Sequence, residues 1–226
     1  MTVADRRERD KQLRRDSIVD AAERLFFAKG FAASTIDEVA EAAELSKGTI
    51  YLYFKNKDEI YVAIVQRGLR MLMDSFRDIM ASSATGMDKV LGLGQALVSF
   101  YERHPDHFKA VFYHREVPAS SLRDENRDGS SVSSLKQDLA ELYALCIGAM
   151  RAGLADGSIR PDIDPVKATI VLVGMILGLV RTITLMEEKL LLEKFDFGGS
   201  DMIRAAFEMI GRPLASGGAP APPEGH

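Results

Sequence analysis

Residues 40–57 read AEAAELSKGTIYLYFKNK. The stretch holds the end of one short amphipathic helix, a turn at Glu44 and Leu45, and a second short helix from Ser46 to about Phe54. Ser46 offers the side-chain oxygen that an N-cap needs. Ile50 and Phe54 lie four residues apart and so share one inward face. At about 100° per residue, the opposite face centres on Gly48 and Leu52, with Thr49 and Tyr51 on its flanks and Tyr53 at its edge. A helix facing bulk water seldom carries two tyrosines and a leucine there, so this surface is read as built to touch a partner.

Working outward, the same logic of caps and stripes recurs. Upstream, Ile18, Ala21, Ala22, Leu25 and Phe26 are spaced by threes and fours, and Gly30 with Phe31 closes that helix. Thr35 and Glu38 form a capping box ahead of the stripe Ile36, Val39, Ala40 and Ala43. Leu45 is placed to plug the core between the two short helices. Downstream, Asn56 and Glu59 form another capping box before a long helix, about 57–82, through Ile60, Ile64, Leu69, Leu72, Phe76 and Met80. Further helices are expected at 87–103, 106–117, 132–155, 165–187 and 200–210. Pro105 and Pro165 suit first helical positions, Asp164 an N-cap, and Gly157 and Gly211 positions just past helix ends. No strand pattern with hairpin punctuation occurs, so the fold is all-α, with about nine helices. Segment 117–131 is the expected mobile loop, and the Pro- and Gly-rich tail from 213 is expected to be disordered.

Composition limits the function classes. The 226 residues are 46% hydrophobic and 27% charged, with a formal net charge of −4. A nucleic-acid partner must therefore be met by a local basic patch, and Arg6, Arg7, Arg9, Lys11, Arg14 and Arg15 supply one. Alone, that run reads equally as a solvated helix start. The single cysteine, Cys146, excludes an internal disulfide, and its apolar neighbours favour a small buried side chain over a redox sensor. No signal-peptide pattern is present, and the longest uncharged run, Ala168 to Val180, is short for a bilayer. The chain is read as cytoplasmic, with no membrane partner. No nucleophile with its base, phosphate loop or metal-ligand set is evident. His104, His107 and His114 are read as capping or solvated, and neither an enzyme nor a cofactor is expected.

Two short helices joined by a turn, the second capped and presenting hydrogen-bonding side chains, have the geometry of a helix-turn-helix DNA reader. The stretch Ile18–Ile64 moreover resembles the TetR family of transcriptional regulators. The resemblance rests on the Thr-capped second helix, the Ser-Lys-Gly-Thr opening of the third, its Tyr-x-Tyr-Phe close and the Asn-Lys before the fourth. It implies an Ω-shaped helical homodimer with an N-terminal reader and a larger domain holding a small-molecule effector and the dimer interface. Domains are accordingly expected at 1–56 and 57–212, with 213–226 as tail. Residues matching the family's DNA contacts are Thr35, Lys47, Gly48, Thr49, Tyr51, Tyr53 and, on a phosphate, Lys57, and Ser46 at the start of the third helix is a further DNA-binding candidate. Leu52 joins them from the helical wheel, as a contact to a thymine methyl. Arg14 and Arg15 are candidates for backbone contacts from the basic arm. One departure is Glu44, where the family usually has glycine. A left-handed backbone there would cost roughly 1 kcal/mol relative to glycine.

The implied function is release of a repressor from a pseudo-palindromic double-stranded operator by a small, largely apolar effector. The alternative is a dimeric small-molecule or partner-binding protein with a vestigial reader. Phe100, Phe108, Phe112, Tyr113, Tyr143, Met150 and Met175 are the lining type for an effector pocket. Arg181 ends an apolar run and either pairs with Glu187 or Glu188, reaches solvent, or awaits an anionic ligand. Gly174 and Gly178 form a small-xxx-small face. Ile176, Leu177, Val180, Phe207 and Ile210 are candidates for the dimer interface, or for monomer core.

Overall fold

The computed structural model describes residues 3–112, 130–188 and 198–215. Among them lie nine helices: α1 Val3–Lys29, α2 Ile36–Ala42, α3 Lys47–Tyr53, α4 Lys57–Ala81, α5 Gly86–Arg103, α6 Pro105–Phe112, α7 Ser130–Asp156, α8 Pro165–Glu188 and α9 Gly199–Leu214. The only pairing of extended backbone there is one antiparallel bridge, Ile159 to Ala215. The chain divides into two compact units, residues 1–69 with 109–138, and 70–108 with 139–226.

In the first unit, α1 packs on α2 and α2 on α3. The shared core is the one the apolar spacing requires: Ile18, Ala22, Phe26, Val39, Ile50, Phe54, Ile60 and Ile64 are all buried. Phe26 meets Phe31 edge-on at 5.4 Å, and Phe31 lies 4.9 Å from Tyr61 of α4. Such rings in offset or edge contact add about 0.5–1.5 kcal/mol beyond their buried area. Arg67 of α4 donates to Asp20 and Glu23 of α1 at 2.7 and 2.9 Å, tying the two long helices together. Nearby, Gln66 is buried yet donates to Asp138 of α7 at 3.2 Å, as an interior amide must to offset its lost hydration. Gly30, at φ +88°, ends α1 in the left-handed conformation that glycine adopts without a Cβ clash.

In the second unit, α9 packs on α5 and α8. The start of α5 lies against the end of α7 so closely that only glycine fits at Gly86. A Cβ there would sit 2.5 Å from the Ala152 carbonyl carbon and closer still to the backbone of Gly153. The Asp156 carboxylate accepts the Gly86 N–H at 2.6 Å, and the Ser158 hydroxyl accepts the Met87 N–H at 3.0 Å. Hydrogen bonds from the Ser158 side chain and the Gly86 N–H hold the Asp156 carboxyl below its ordinary pKa. Thr85 and Asp88 form a capping box on the same helix start. Burial pushes the Cys146 thiol up to about 11, which keeps it protonated and unreactive at neutral pH.

Several expected boundaries move. Gly211 does not stop the last helix. α9 runs on to Leu214, which is buried and whose carbonyl accepts the Arg160 N–H at 3.1 Å. Tertiary burial overrides the local Gly and Pro stop signals there, so order extends beyond the expected start of the tail at 213. α7 begins at Ser130, taking the last two residues of the expected 117–131 loop. The rest of that loop, Tyr113, His114, and the tail beyond 215 lie outside the described residues. The basic run from Arg6 to Arg15, read as an arm or a helix start, is helical throughout. It is the first four turns of α1 itself.

The outer side of α8 is apolar. Ile170, Val171, Met175, Leu177 and Leu185 are exposed, and an added Cβ at Gly174 or Gly178 would meet nothing within 4 Å among the described residues. By length and composition Pro165–Ile183 suffices to cross a membrane, at a mean hydropathy of 1.9, and only 22% of it is buried within the chain. Counting only the uncharged core of this helix, 168–180, underestimates its apolar length.

Candidate nucleic-acid interface

The turn between α2 and α3 is a Schellman closure. The Leu45 N–H reaches the Ala40 carbonyl at 2.8 Å, and the Glu44 N–H reaches Glu41 at 3.0 Å. This pattern requires a left-handed residue between them, and Glu44 takes it at φ 56°, the one non-glycine with positive φ among the described residues. Glu44 is exposed and Leu45 half-buried. Glu44→Gly is expected to raise stability by about 1 kcal/mol, because glycine adopts this conformation without the Cβ penalty. An unchanged urea midpoint would show that the turn carries no such strain.

Both short helices are capped as their sequences require. The Thr35 hydroxyl accepts the Glu38 N–H at 3.3 Å, and the Glu38 carboxylate accepts the Thr35 N–H at 2.9 Å. Glu38 also pairs with Lys29. The Lys29 ammonium and the Thr35 N–H hold the Glu38 carboxyl below its usual pKa. Ser46 accepts the Thr49 N–H at 3.1 Å, and the two hydroxyls lie 2.8 Å apart. At α4, Asn56 accepts the Glu59 N–H at 2.9 Å, while Glu59 reaches back to the Lys55 N–H at 2.8 Å.

With Ile50 and Phe54 buried, α3 presents Tyr51 and Leu52, 50% and 81% exposed. Lys47 and Gly48 are exposed beside them, and Thr49 and Tyr53 are half-buried. A leucine so exposed on a capped, seven-residue helix has no role in the core of its own unit. Lys47 is held rather than loose. Its ammonium pairs with both carboxylate oxygens of Asp37 at 2.8 and 3.0 Å, which raises its pKa through the hydrogen bond and charge of Asp37. This partner, ten residues upstream, was not legible from the spacing of the motif.

Lys57, expected on a phosphate, is engaged within its own unit. Its Nζ donates to the Phe31 and Ser34 carbonyls, both at 2.7 Å, and lies 4.3 Å from the Phe31 ring centre. In this arrangement it braces the α1–α2 connection against α4, because two buried carbonyls there need a donor. Arg14 is exposed, and Arg15 places its guanidinium 4.9 Å from the Phe54 ring centre. The basic end of α1 therefore adjoins the C-terminal end of α3.

The chain matches the family model described as bacterial regulatory proteins, tetR family, over residues 18–64. It is 30% identical over 154 residues to the HTH-type transcriptional repressor KstR2 of Rhodococcus jostii, covering 68% of this chain and 72% of the relative. The chain belongs to the TetR family. It is a DNA-binding transcriptional regulator. The fold is similar to that of the ketosteroid transcriptional regulator KstR2 of Mycobacterium tuberculosis, with a TM-score of 0.64 at 18% identity over 90% of this chain and 95% of the other. It is also similar to FadR of Bacillus subtilis, solved in complex with stearoyl-CoA, with a TM-score of 0.64 at 22% identity over 88% and 98%.

The candidates for the effector and dimer regions of this TetR-family chain are less concentrated. Phe100, Phe108 and Met150 are buried, and Phe108 contacts Phe100 and Tyr101 at ring distances of 6.1 and 4.9 Å. Tyr143 and Phe112 are half-buried, whereas Met175 lies on the outer side of α8. Arg181 is exposed on that same outer side, and the side chains of Glu187 and Glu188, its expected partners, lie outside the described residues. Ile176 and Val180 face the core of their own unit. Phe207 lies over Gly94, where a Cβ would come 2.6 Å from its Cγ. Of the expected interface residues, Leu177 is exposed, and the side chain of Ile210 is outside the described residues. A wheel of α8 alone does not say which side a neighbouring helix will cover. His104 caps α5, its N–H bonded to the Phe100 carbonyl at 2.9 Å.

Proposed function

We propose that this regulator is a homodimeric repressor that reads a pseudo-palindromic operator with α3 and leaves it on binding an acyl-CoA-type effector. The observation that carries the DNA reading is the split character of α3: Ile50 and Phe54 fully buried, Tyr51 and Leu52 exposed. Lys47, Gly48, Thr49, Tyr51, Leu52 and Tyr53 are its reading surface, and Thr35 and Ser46 hold the two helix starts in place. A recognition helix enters the major groove with its N-terminal residues toward base edges, and a dimer places two such helices about one DNA turn apart. Duplexes selected by the protein from a random library should form an inverted repeat, and Tyr51→Ala should bind them at least tenfold more weakly. Selection of no sequence would remove the DNA-reading role and favour a binding protein with a vestigial reader.

The effector class follows from the apolar side chains of the second unit together with the stearoyl-CoA complex of its structural relative. Stearoyl-CoA, added to the protein bound to its selected duplex, should release the DNA, and coenzyme A alone should not. Equal effects of both would sink the apolar part of the proposal.

For the dimer, the exposed side of α8 supports a set that keeps Leu177, Gly174 and Gly178 and adds Ile170, Val171 and Leu185. Ile170, Val171, Gly174, Leu177, Gly178 and Leu185 form the exposed side of α8, and paired glycines allow close helix approach. So large an apolar face is ordinarily covered by a partner, here a second copy. Ile170→Glu should convert a dimer to a monomer in light scattering. Association with vesicles in place of dimerisation would assign the face to a membrane instead.

A further inference from the structure

We infer that Asp37 is a specificity-determining positioning residue of the DNA reader: from α2 it holds the Lys47 ammonium for a guanine edge and keeps it from the neighbouring phosphates. This rests on the reading of α3 as the recognition helix. Asp37 lies in the first turn of α2 and Lys47 opens α3, so the pair spans the two short helices on either side of the turn. Both oxygens of the Asp37 carboxylate lie against the Lys47 ammonium, at 2.8 and 3.0 Å. Both residues are exposed.

Local structure does not account for this carboxylate. The capping box of α2 is completed by Thr35 and Glu38, and Glu38 also pairs with Lys29. A carboxylate in the first turn does suit the helix dipole, but Glu38 already supplies one there. An exposed ion pair adds little to stability, because water and salt screen it. On a surface that meets a polyanion, the carboxylate also repels phosphates. What it engages is the lysine of the reading surface.

That lysine has two kinds of target on DNA. Lysine is a point charge on a flexible four-carbon stem, and a loose one binds the nearest phosphate whatever the sequence. In the major groove, guanine instead offers its O6 and N7 acceptors to a lysine. The ammonium carries three donors, and two carboxylate oxygens leave at least one of them for an outside acceptor, in a direction that Asp37 sets. Lys47 and Tyr51 lie four residues apart and share a face of α3. The hydrogen bond and charge of Asp37, and to a lesser extent Tyr51, raise the Lys47 pKa, so the ammonium is held within the reading surface. The pair is neutral as a whole, so phosphates attract it weakly while a directed hydrogen bond to a base remains. Discrimination gained by weakening the wrong contact is a general route to specificity.

The test compares the full-length wild type with Asp37→Asn, Lys47→Gln and the double variant. Two probes are used, the duplex selected by the wild type and a random-sequence duplex of equal length. Asp37→Asn should bind random DNA at least threefold more tightly, with a salt slope steeper by about 0.9, the value of one more phosphate neutralised. Its ratio of selected to random affinity should fall at least tenfold, and selection repeated with it should lose one guanine position in each half-site. Lys47→Gln should lose the same position. The double variant should match Lys47→Gln in base preference, because Asp37 acts through the lysine. A further loss of preference in the double variant would make Asp37 a reader of bases in its own right and overturn the positioning role. An equal fall in affinity for both duplexes with a lowered thermal midpoint would overturn it too, as the mark of a structural tie between α2 and α3. If Asp37→Asn keeps the guanine position and the slope while Tyr51→Ala still weakens the selected duplex, the inference fails and the role of α3 stands. A wild type that selects no sequence removes the reading of α3, and this inference with it.

Discussion

Gly86→Ala is expected to destabilise the second unit by at least about 3 kcal/mol, lowering the thermal midpoint by roughly 6–12 °C. The added Cβ would meet backbone, at 2.5 Å from the Ala152 carbonyl carbon and nearer still to Gly153. No rotamer change relieves a clash with backbone, so α5 and α7 must move apart. That movement also removes the bonds from Gly86 to Asp156 and from Met87 to Ser158, leaving helix-start N–H groups without acceptors. Gly148→Ala, also within a helix, is the matched control. The atom nearest its added Cβ is the flexible Met80 Cε at 3.3 Å, which can move aside, and alanine is favoured over glycine in a helix by about 1 kcal/mol. A loss of less than about 1 kcal/mol in Gly86→Ala, measured by urea unfolding, would show that the crossing of α5 and α7 is not as tight as described.

Gly48→Glu should leave the fold intact and reduce affinity for the selected duplex by about a hundredfold or more. Among the described residues, the only atom within 4 Å of an added Cβ is the Ser46 Oγ at 3.7 Å, so the protein itself accommodates a side chain. DNA would not, because the new carboxylate would stand between the phosphates and the leading turn of α3, and each lost base contact costs about 1–3 kcal/mol. Gly48→Ala is the gentler version. Its helix should be more stable by about 0.5–1 kcal/mol, yet its DNA affinity should fall. Opposite signs for stability and binding mark a surface shaped for a partner. Wild-type affinity in Gly48→Glu, with an unchanged melting curve, would place DNA elsewhere.

The reader was legible in the sequence because its determinants are local. The Thr35–Glu38 capping box, the apolar stripes and the positions of Ile50 and Phe54 all act within a few residues, and the structure places each accordingly. At α4 Asn56 caps as expected, but Glu59 takes the Lys55 N–H in place of the Asn56 N–H. Glu44 shows local logic at its limit. The sequence indicates a departure from glycine, but only the backbone, at φ 56°, shows that the turn keeps its left-handed form despite the side chain. Lys57 shows where local logic stops. Its role as a donor to two carbonyls 23 and 26 residues upstream depends on how the connection between α1 and α2 folds back to α4.

The same division explains α8 and α9. Apolar residues all round α8 require burial on more than one side, but composition does not say which side its own chain covers. Packing against α9 makes Ile176 and Val180 internal and leaves Ile170 and Leu177 exposed. The continuation of α9 through Gly211 likewise depends on Leu214 finding burial beside the Ile159 bridge. By itself, then, the sequence determined the all-helical class, the reader and the faces of its helices, because periodicity and capping are short-range. The tertiary structure alone decided the partner of Lys57, the sharp approach at Gly86 and the outward side of α8, because these depend on contacts between residues far apart in the chain.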